Sequence, residues 1–228
     1  MAHDGVLPAK IPPGGTTVKV ERAFRWSGLA LAAATWISCG LFGIYILVFY
    51  AGSLIAGHAA RWNLALPGLY SESGRMSAAG IGVHFAAGGA ILALGFIQLL
   101  GAVRARVPAL HRWLGRIYVT AGALAGIGGL LFIAFTGTNG GRVMGIGFGI
   151  YGVLMLVAAA QTYRYGRARQ TTAHRAWALR LFALAIGSWL YRMEYGFWFL
   201  ATHRLGHTSD FRGVFDVVMA FSSTYRIC

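Results

Sequence analysis

Apolar residues fall in long blocks, separated by short polar segments that carry most of the arginines. The blocks run at about 26–50, 78–103, 114–135, 144–163 and 176–200. Each holds ~20 residues or more, enough as a helix rising 1.5 Å per residue to cross ~30 Å of hydrocarbon. The first is too long for a signal-peptide core and lacks a cleavage site, so it reads as an uncleaved span. A sixth block, 214–221, has eight residues with Asp216 inside, followed by Ser222-Ser223-Thr224-Tyr225-Arg226. Eight helical residues reach only ~12 Å. The pattern predicts an all-α, polytopic transmembrane helical bundle with five full spans and a partial or truncated sixth. Residues 1–25 read as a polar tail, irregular around Pro12-Pro13-Gly14-Gly15 and Thr16-Thr17. Residues 26–221 form the bundle, and 222–228 a disordered carboxyl end. Residues 214–221 are expected to make two or three turns on the outer half of the bundle near the fifth helix, with Asp216 turned to protein or water.

Composition sharpens this. The chain is 57% hydrophobic and only 11% charged, where a soluble domain carries about 25% charge. That excludes a soluble enzyme. The net charge of +14 does not signal nucleic acid, because no basic stripe with interleaved aromatics runs along a soluble segment. It follows the positive-inside rule instead. Thirteen basic residues lie on one side, in the tail and in the segments around 104–116 and 164–180, against five on the other. The amino terminus is therefore expected to be cytoplasmic, with anionic lipid headgroups as partners of the arginines. Cys39 and Cys228 make no disulfide framework or metal spacing. Glycines four apart, Gly122 with Gly126 and Gly145 with Gly149, predict close helix approach.

Two helix starts look alike. One reads His111-Arg112-Trp113-Leu114-Gly115-Arg116-Ile117-Tyr118, the other His174-Arg175-Ala176-Trp177-Ala178-Leu179-Arg180. Each has a His-Arg pair, a nearby tryptophan and a second arginine four or five residues on. They lie 63 residues apart, the length of one helical hairpin, which suggests a two-helix unit used twice. Together with His84, Gly95, Gln98 and Arg192, these residues resemble a bacterial family of membrane proteins known as domain of unknown function 2306. The likeness covers residues 78–192. It departs at Ala178, where members usually have methionine, and in the incomplete last helix. The resemblance implies a multi-pass protein of the bacterial inner (plasma) membrane and a set of candidate positions. It implies no activity, since the family has none established.

Ionisable groups within a bilayer are costly and mark candidate sites. Arg116 and Tyr118 lie ~7 and ~10 Å past His111, and Arg180 ~9 Å past His174. Gln98 and Gln161 come to similar depth. The expected inner cluster is thus Gln98, His111, Arg112, Arg116, Tyr118, Gln161, His174, Arg175 and Arg180. Anchoring at the headgroups explains Arg112 and Arg175, and explains the deeper Arg116 and Arg180 less well. A second reading is an anion site, where arginines and helix starts hold a phosphate or carboxylate. A third is haem b with His111 and His174 as axial ligands. Toward the other face, His84, Glu194 and Arg192 share a depth, and His84 with Glu194 reads as a hydrogen-bonded pair or a proton relay. His58, His203 and His207 read as surface histidines. His203 and His207 would share a metal only on a helix.

The function class that fits best is non-enzymatic: a binding or accessory protein whose cytoplasmic Arg/His pocket engages an anionic lipid, a cofactor headgroup or a partner membrane subunit. The alternatives are a small b-type cytochrome passing electrons between haem and quinone, and a transporter. Against the transporter stands the expectation that no helix breaks near the midplane.

Topology gives the first test. Cysteines placed near residues 104 and 167 are expected to react only with cytoplasmic reagent, and one near His203 only with external reagent. Cytoplasmic labelling near His203 would reject the orientation.

Overall fold

The computed structural model describes residues 15–225 except 67 and 73. No strand occurs among the described residues. Ten α-helices follow in order: α1 (Gly15–Ile46), α2 (Gly52–Ile55), α3 (Trp62–Ala65), α4 (Arg75–Leu99), α5 (Gly101–Arg106), α6 (Pro108–Thr136), α7 (Gly141–Arg167), α8 (Thr171–Ala185), α9 (Gly187–Thr202) and α10 (Val214–Tyr225). A π-helical turn, Leu47–Ala51, joins α1 to α2. Among the described residues, four stretches are long and apolar enough to cross a membrane: Val20–Ile55, Arg75–Leu99, Pro108–Thr136 and Gly141–Arg167.

The chain divides into two units between Ser38 and Cys39. The described part of the first is the amino-terminal length of α1, on which Phe24, Trp26 and Leu31 are exposed. Its helix begins at Gly15, so Thr16-Thr17 is helical rather than irregular. Residues 1–14 of the expected tail lie outside the described residues.

The second unit holds the bundle, and glycine sets its crossings. A Cβ on Gly43 would lie 2.9 Å from the Gly89 carbonyl, joining the end of α1 to α4. One on Gly80 would lie 3.0 Å from the Gly128 carbonyl, joining α4 to α6, and one on Gly126 3.2 Å from the Gly152 carbonyl, joining α6 to α7. One on Gly147 would lie 2.8 Å from the Ala220 carbonyl, joining α7 to α10. The expected Gly122 and Gly126 do pack tightly, against Leu181 and Leu156. Gly145 and Gly149 do not: the nearest atoms to a Cβ on Gly145 are at 3.7 Å, and nothing lies within 4 Å of one on Gly149. The close contacts of α7 are instead at Gly147, toward α10, and Gly152, toward α6, which a spacing of four misses.

Two apolar cores result. One gathers Ile91, Tyr118, Ala121, Ala125, Met155, Ala158, Leu181 and Leu184 from α4, α6, α7 and α8. The other packs Cys39, Tyr50, Trp62, Phe85, Leu92 and Trp189. The Trp62 indole donates to the Tyr50 carbonyl at 3.0 Å, which fixes the segment between α2 and α4.

The block at 176–200 is not one rod. It divides at Ile186 into α8 and α9, of fifteen and sixteen residues. Gly187-Ser188 follows the break, and the Tyr151 hydroxyl of α7 donates to the Leu184 carbonyl there. A Gly/Ser pair with an inserted side-chain donor is a known cause of sharp kinks. This corrects the expectation of unbroken helices near the midplane. The last block also differs. The described α10 runs twelve residues, ~18 Å, to Tyr225, so 222–225 are helical rather than irregular. The Ser222 hydroxyl donates to the Met219 carbonyl at 2.9 Å, satisfying a carbonyl of the last turns. Residues 226–228 lie outside the described residues.

The crossings are testable. A Cβ on Gly128 falls on the Gly80 carbonyl and 2.8 Å from the His84 amide nitrogen. Gly128→Ala is expected to lower stability by about 1–3 kcal/mol, the usual cost of overpacking. Gly149→Ala, with open space around it, is expected to be neutral or slightly stabilising through helix propensity. Unfolding of detergent-solubilised protein by a denaturing detergent reads both.

Candidate functional site

The two His-Arg motifs occupy equivalent places. Pro108 is the first residue of α6 and Thr171 of α8, so His111 and His174 are each the fourth residue of their helix. His111, Gly115 and Tyr118 share one face of α6, since residues three and four apart stack on a helix. That face meets α4: the Gln98 side-chain oxygen lies 3.7 Å from where a Cβ on Gly115 would stand. Higher up, the Tyr118 and Phe182 rings close over Gly95, at 3.3 and 3.2 Å from its Cβ position. Position 95 must be small for α4, α6 and α8 to converge. The absent side chain at Gly166 does the same for α7, because the His174 ring lies 3.1 Å from its Cβ position. His174 Nδ1 bonds to the Thr162 carbonyl at 2.9 Å. His111 is near enough to His174, Arg104 and Arg112 to interact with them electrostatically.

Here the polar accounting fails to close. Gln98 Nε2, His111 Nδ1, Tyr118 Oη and Gln161 Oε1 are buried without a hydrogen-bond partner among the described residues. Buried polar atoms are nearly always paired, and each one left unpaired costs about 1–3 kcal/mol. They come from α4, α6 and α7 around one end of the bundle.

The arginines expected to join them divide. Arg112, Arg116 and Arg175 are exposed, while Arg180 is half-buried with its guanidinium 5.1 Å from the Trp177 ring centroid. Arg116 faces away from the buried atoms, into an open groove between α4 and α6 lined also by Val83, Ala86 and Thr120. Toward the far end, His84 Nδ1 bonds to the Ala125 carbonyl of α6 at 2.8 Å. Glu194 is half-buried on α9. Arg192 donates to the Ser188 carbonyl at 3.0 Å and lies 4.9 Å from the Phe42 ring centroid. Among the described residues, no group of three or more His, Cys, Asp or Glu is placed to hold a metal.

A second polar centre was not anticipated. His207 is no surface residue, and it does not lie on a helix with His203, which ends α9 in a left-handed turn at φ 51°. His207 Nδ1 meets Asp216 Oδ1 at 2.7 Å, and the Tyr195 hydroxyl donates to the same oxygen at 2.8 Å. The amides of Thr208 and Gly213 donate to Oδ2, both at 3.0 Å. Asp216 is fully buried, as expected of a carboxylate turned to protein. Tyr195, Phe199 and Phe211 ring His207. The signal in the sequence was Asp216 itself, an acid in an apolar block. Its partner nine residues back follows no helical spacing.

The profile of a family described as "Predicted membrane protein (DUF2306)" matches residues 81–226. The match holds both His-Arg motifs, all four unpaired side chains and the Asp216 centre. No curated protein and no solved structure matches the chain.

The Asp216 centre predicts a pH dependence. Burial pushes its carboxyl up, but hydrogen bonds from His207, the Thr208 amide, Tyr195 and the Gly213 amide outweigh it and hold the carboxyl below its ordinary value. Its contribution to stability is therefore complete above the ordinary carboxyl range, ~4, and is lost as pH falls through the lower folded value. Asp216→Asn is expected to lower stability by about 1–3 kcal/mol at pH 7. The gap to wild type should close on acidification, as thermal unfolding in detergent would show.

Proposed function

The chain belongs to the DUF2306 family of predicted membrane proteins, and from its unpaired polar cluster we propose that it is a membrane-embedded binding protein. Its pocket among α4, α6, α7 and α8 takes the polar, anionic head of a membrane-soluble molecule, either a lipid or a cofactor headgroup. The carrying observation is that Gln98, His111, Tyr118 and Gln161 each bury a polar atom with no partner among the described residues. Such a set supplies donors and acceptors to one ligand. Arg180, with Arg112 and Arg175 at the rim, supplies the positive charge for a phosphate or carboxylate. By the positive-inside argument this end faces the cytoplasm of a bacterial inner membrane.

Haem b is the second reading, and one observation favours it. His174 spends Nδ1 on the Thr162 carbonyl, which leaves Nε2 free, as metal-bound histidines usually do. His111 stands near with Nδ1 unsatisfied. These two residues would hold the haem iron, and the haem would supply one-electron chemistry.

Apolar replacement separates a ligand site from a packing defect. Tyr118→Phe and Gln161→Leu remove unpaired atoms, so each is expected to stabilise the empty protein by about 1 kcal/mol. Each should also lower the amount of a co-purifying small molecule seen by mass spectrometry. Arg180→Lys should weaken retention and Arg180→Leu abolish it, because lysine lacks the planar fork. Unchanged retention in all four variants would reject the pocket. A Soret band in the purified wild type, lost in His174→Ala, would select haem, with at most one per chain.

A further inference from the structure

A groove of about 500 Å³ runs between α4 and α6, lined by Val83, Ala86, Ala87, Ile117, Thr120 and Leu124, with Arg116 at one end. A second of about 750 Å³ also includes Val83 and Ala86, and continues past Gly82 and Ala79 to Trp62, Tyr70, Glu72 and Arg75. Because two lining residues are shared, the two form one channel along the exposed flank of α4. Its length follows from the helices. Arg116 to Leu124 is ~12 Å along α6, and the His84–Ala125 bond sets that level beside the middle of α4. From there to Arg75 is ~14 Å more. The channel is therefore nearly as long as the ~30 Å hydrocarbon core and well beyond the ~15 Å of one leaflet.

We propose that this channel holds an anionic isoprenoid lipid, a polyprenyl phosphate, with its phosphate at Arg116 and its chain running past the midplane toward Trp62 and Tyr70. Apolar contact alone selects nothing in a bilayer, since lipid tails are as apolar as the groove. Selection comes from charge and length. Arg116 is exposed, at the end of a wall that is otherwise almost wholly apolar, so it presents an uncompensated cation to a headgroup. At the far end Glu72 offsets Arg75, which makes that end the weaker seat for a phosphate. An acyl chain belongs to one leaflet and fills half of the channel. A long polyprenyl chain fills it all. The small exposed residues Ala79 and Ala86 keep the middle open, and Gly82 admits the Trp62 ring, 3.1 Å from its Cβ position, to wall the far half. The proposal does not rest on the buried cluster, whose unpaired atoms lie on another face of α6.

Native mass spectrometry of the full chain in mild detergent, titrated with undecaprenyl phosphate, farnesyl phosphate and phosphatidylglycerol, tests it. Wild type is expected to hold undecaprenyl phosphate about tenfold more tightly than either competitor, and Arg116→Gln to lose about tenfold, the worth of one charge-assisted contact. Ala79 is exposed and lies ~21 Å from the level of Arg116, so Ala79→Phe plugs the far half of the channel without entering the core. It should erase the preference for the long chain and leave farnesyl phosphate binding intact. Arg142→Gln, at an exposed arginine of α7 outside both the channel and the buried cluster, should change none of these values, which separates a seat at Arg116 from general attraction to positive charge. Equal retention of the three lipids by wild type would overturn the proposal, whether or not the variants fold. So would undecaprenyl phosphate binding that is indifferent to both Arg116→Gln and Ala79→Phe.

Discussion

Backbone meeting backbone across glycine holds this bundle together. In lipid there is no hydrophobic drive between helices, so they associate through van der Waals contact and hydrogen bonds at short range. At Gly80 and Gly128 the carbonyl of each helix occupies the place of the other's missing side chain. Only at that separation does His84 reach the Ala125 carbonyl, and Ser77 meet the Thr136 hydroxyl at the end of the same crossing. Gly126 with Gly152 carries the contact on to α7, and Gly147 with Ala220 to α10. A methyl group at any of these places separates two helices and alters every polar contact between them.

That closeness has different consequences at the two ends. Beside α10 it gives a closed centre: Asp216 receives two backbone and two side-chain bonds, and aromatic rings shut out competitors. Three left-handed non-glycine residues in the turn before α10, His203, Arg204 and Phe211, are the backbone distortion that brings those amides onto one carboxylate. At the His111 end four helices converge around Gly95, Gly115 and Gly166, and Gln98, His111, Tyr118 and Gln161 each bury a polar atom with no partner among the described residues. The first centre is a lock. The kink at Ile186 lies between them and is held by Tyr151, so a change in packing on α7 would alter the angle between α8, which carries His174, and α9, which carries Tyr195.

Much of this was legible from residue order. Four apolar stretches read as spans are helices of the expected length, because ~20 apolar residues in a membrane have no alternative that satisfies their backbone. The His-Arg repeat pointed to equivalent places on α6 and α8, because distance along a helix is proportional to residue number. That arithmetic placed Gln98, His111, Arg116, Tyr118, Gln161, His174 and Arg180 in one cluster, and four of them, Gln98, His111, Tyr118 and Gln161, bury an atom with no partner among the described residues. Depth is one coordinate; direction around the helix is another. Neighbours on a helix differ by about 100°, so Gly115 faces Gln98 while Arg116, one residue on, faces the open groove.

What only the tertiary structure decided follows from the same limit. Which glycines are crossings depends on which face of α7 meets α6 and α10, so Gly147 and Gly152 were invisible while Gly145 and Gly149 looked equally suitable. The break at Ile186 has a weak local signal in Gly187-Ser188, but the donor held at it is a tyrosine from a neighbouring helix, which residue order does not place. His207 and Asp216 are joined through a turn whose left-handed residues have no spacing rule. The sequence determined which segments are helical, how deep each polar residue sits and which carry charge, since those follow from local chemistry and helical rise. Which of them touch was decided by the rotation of each helix about its own axis, which packing against the others sets.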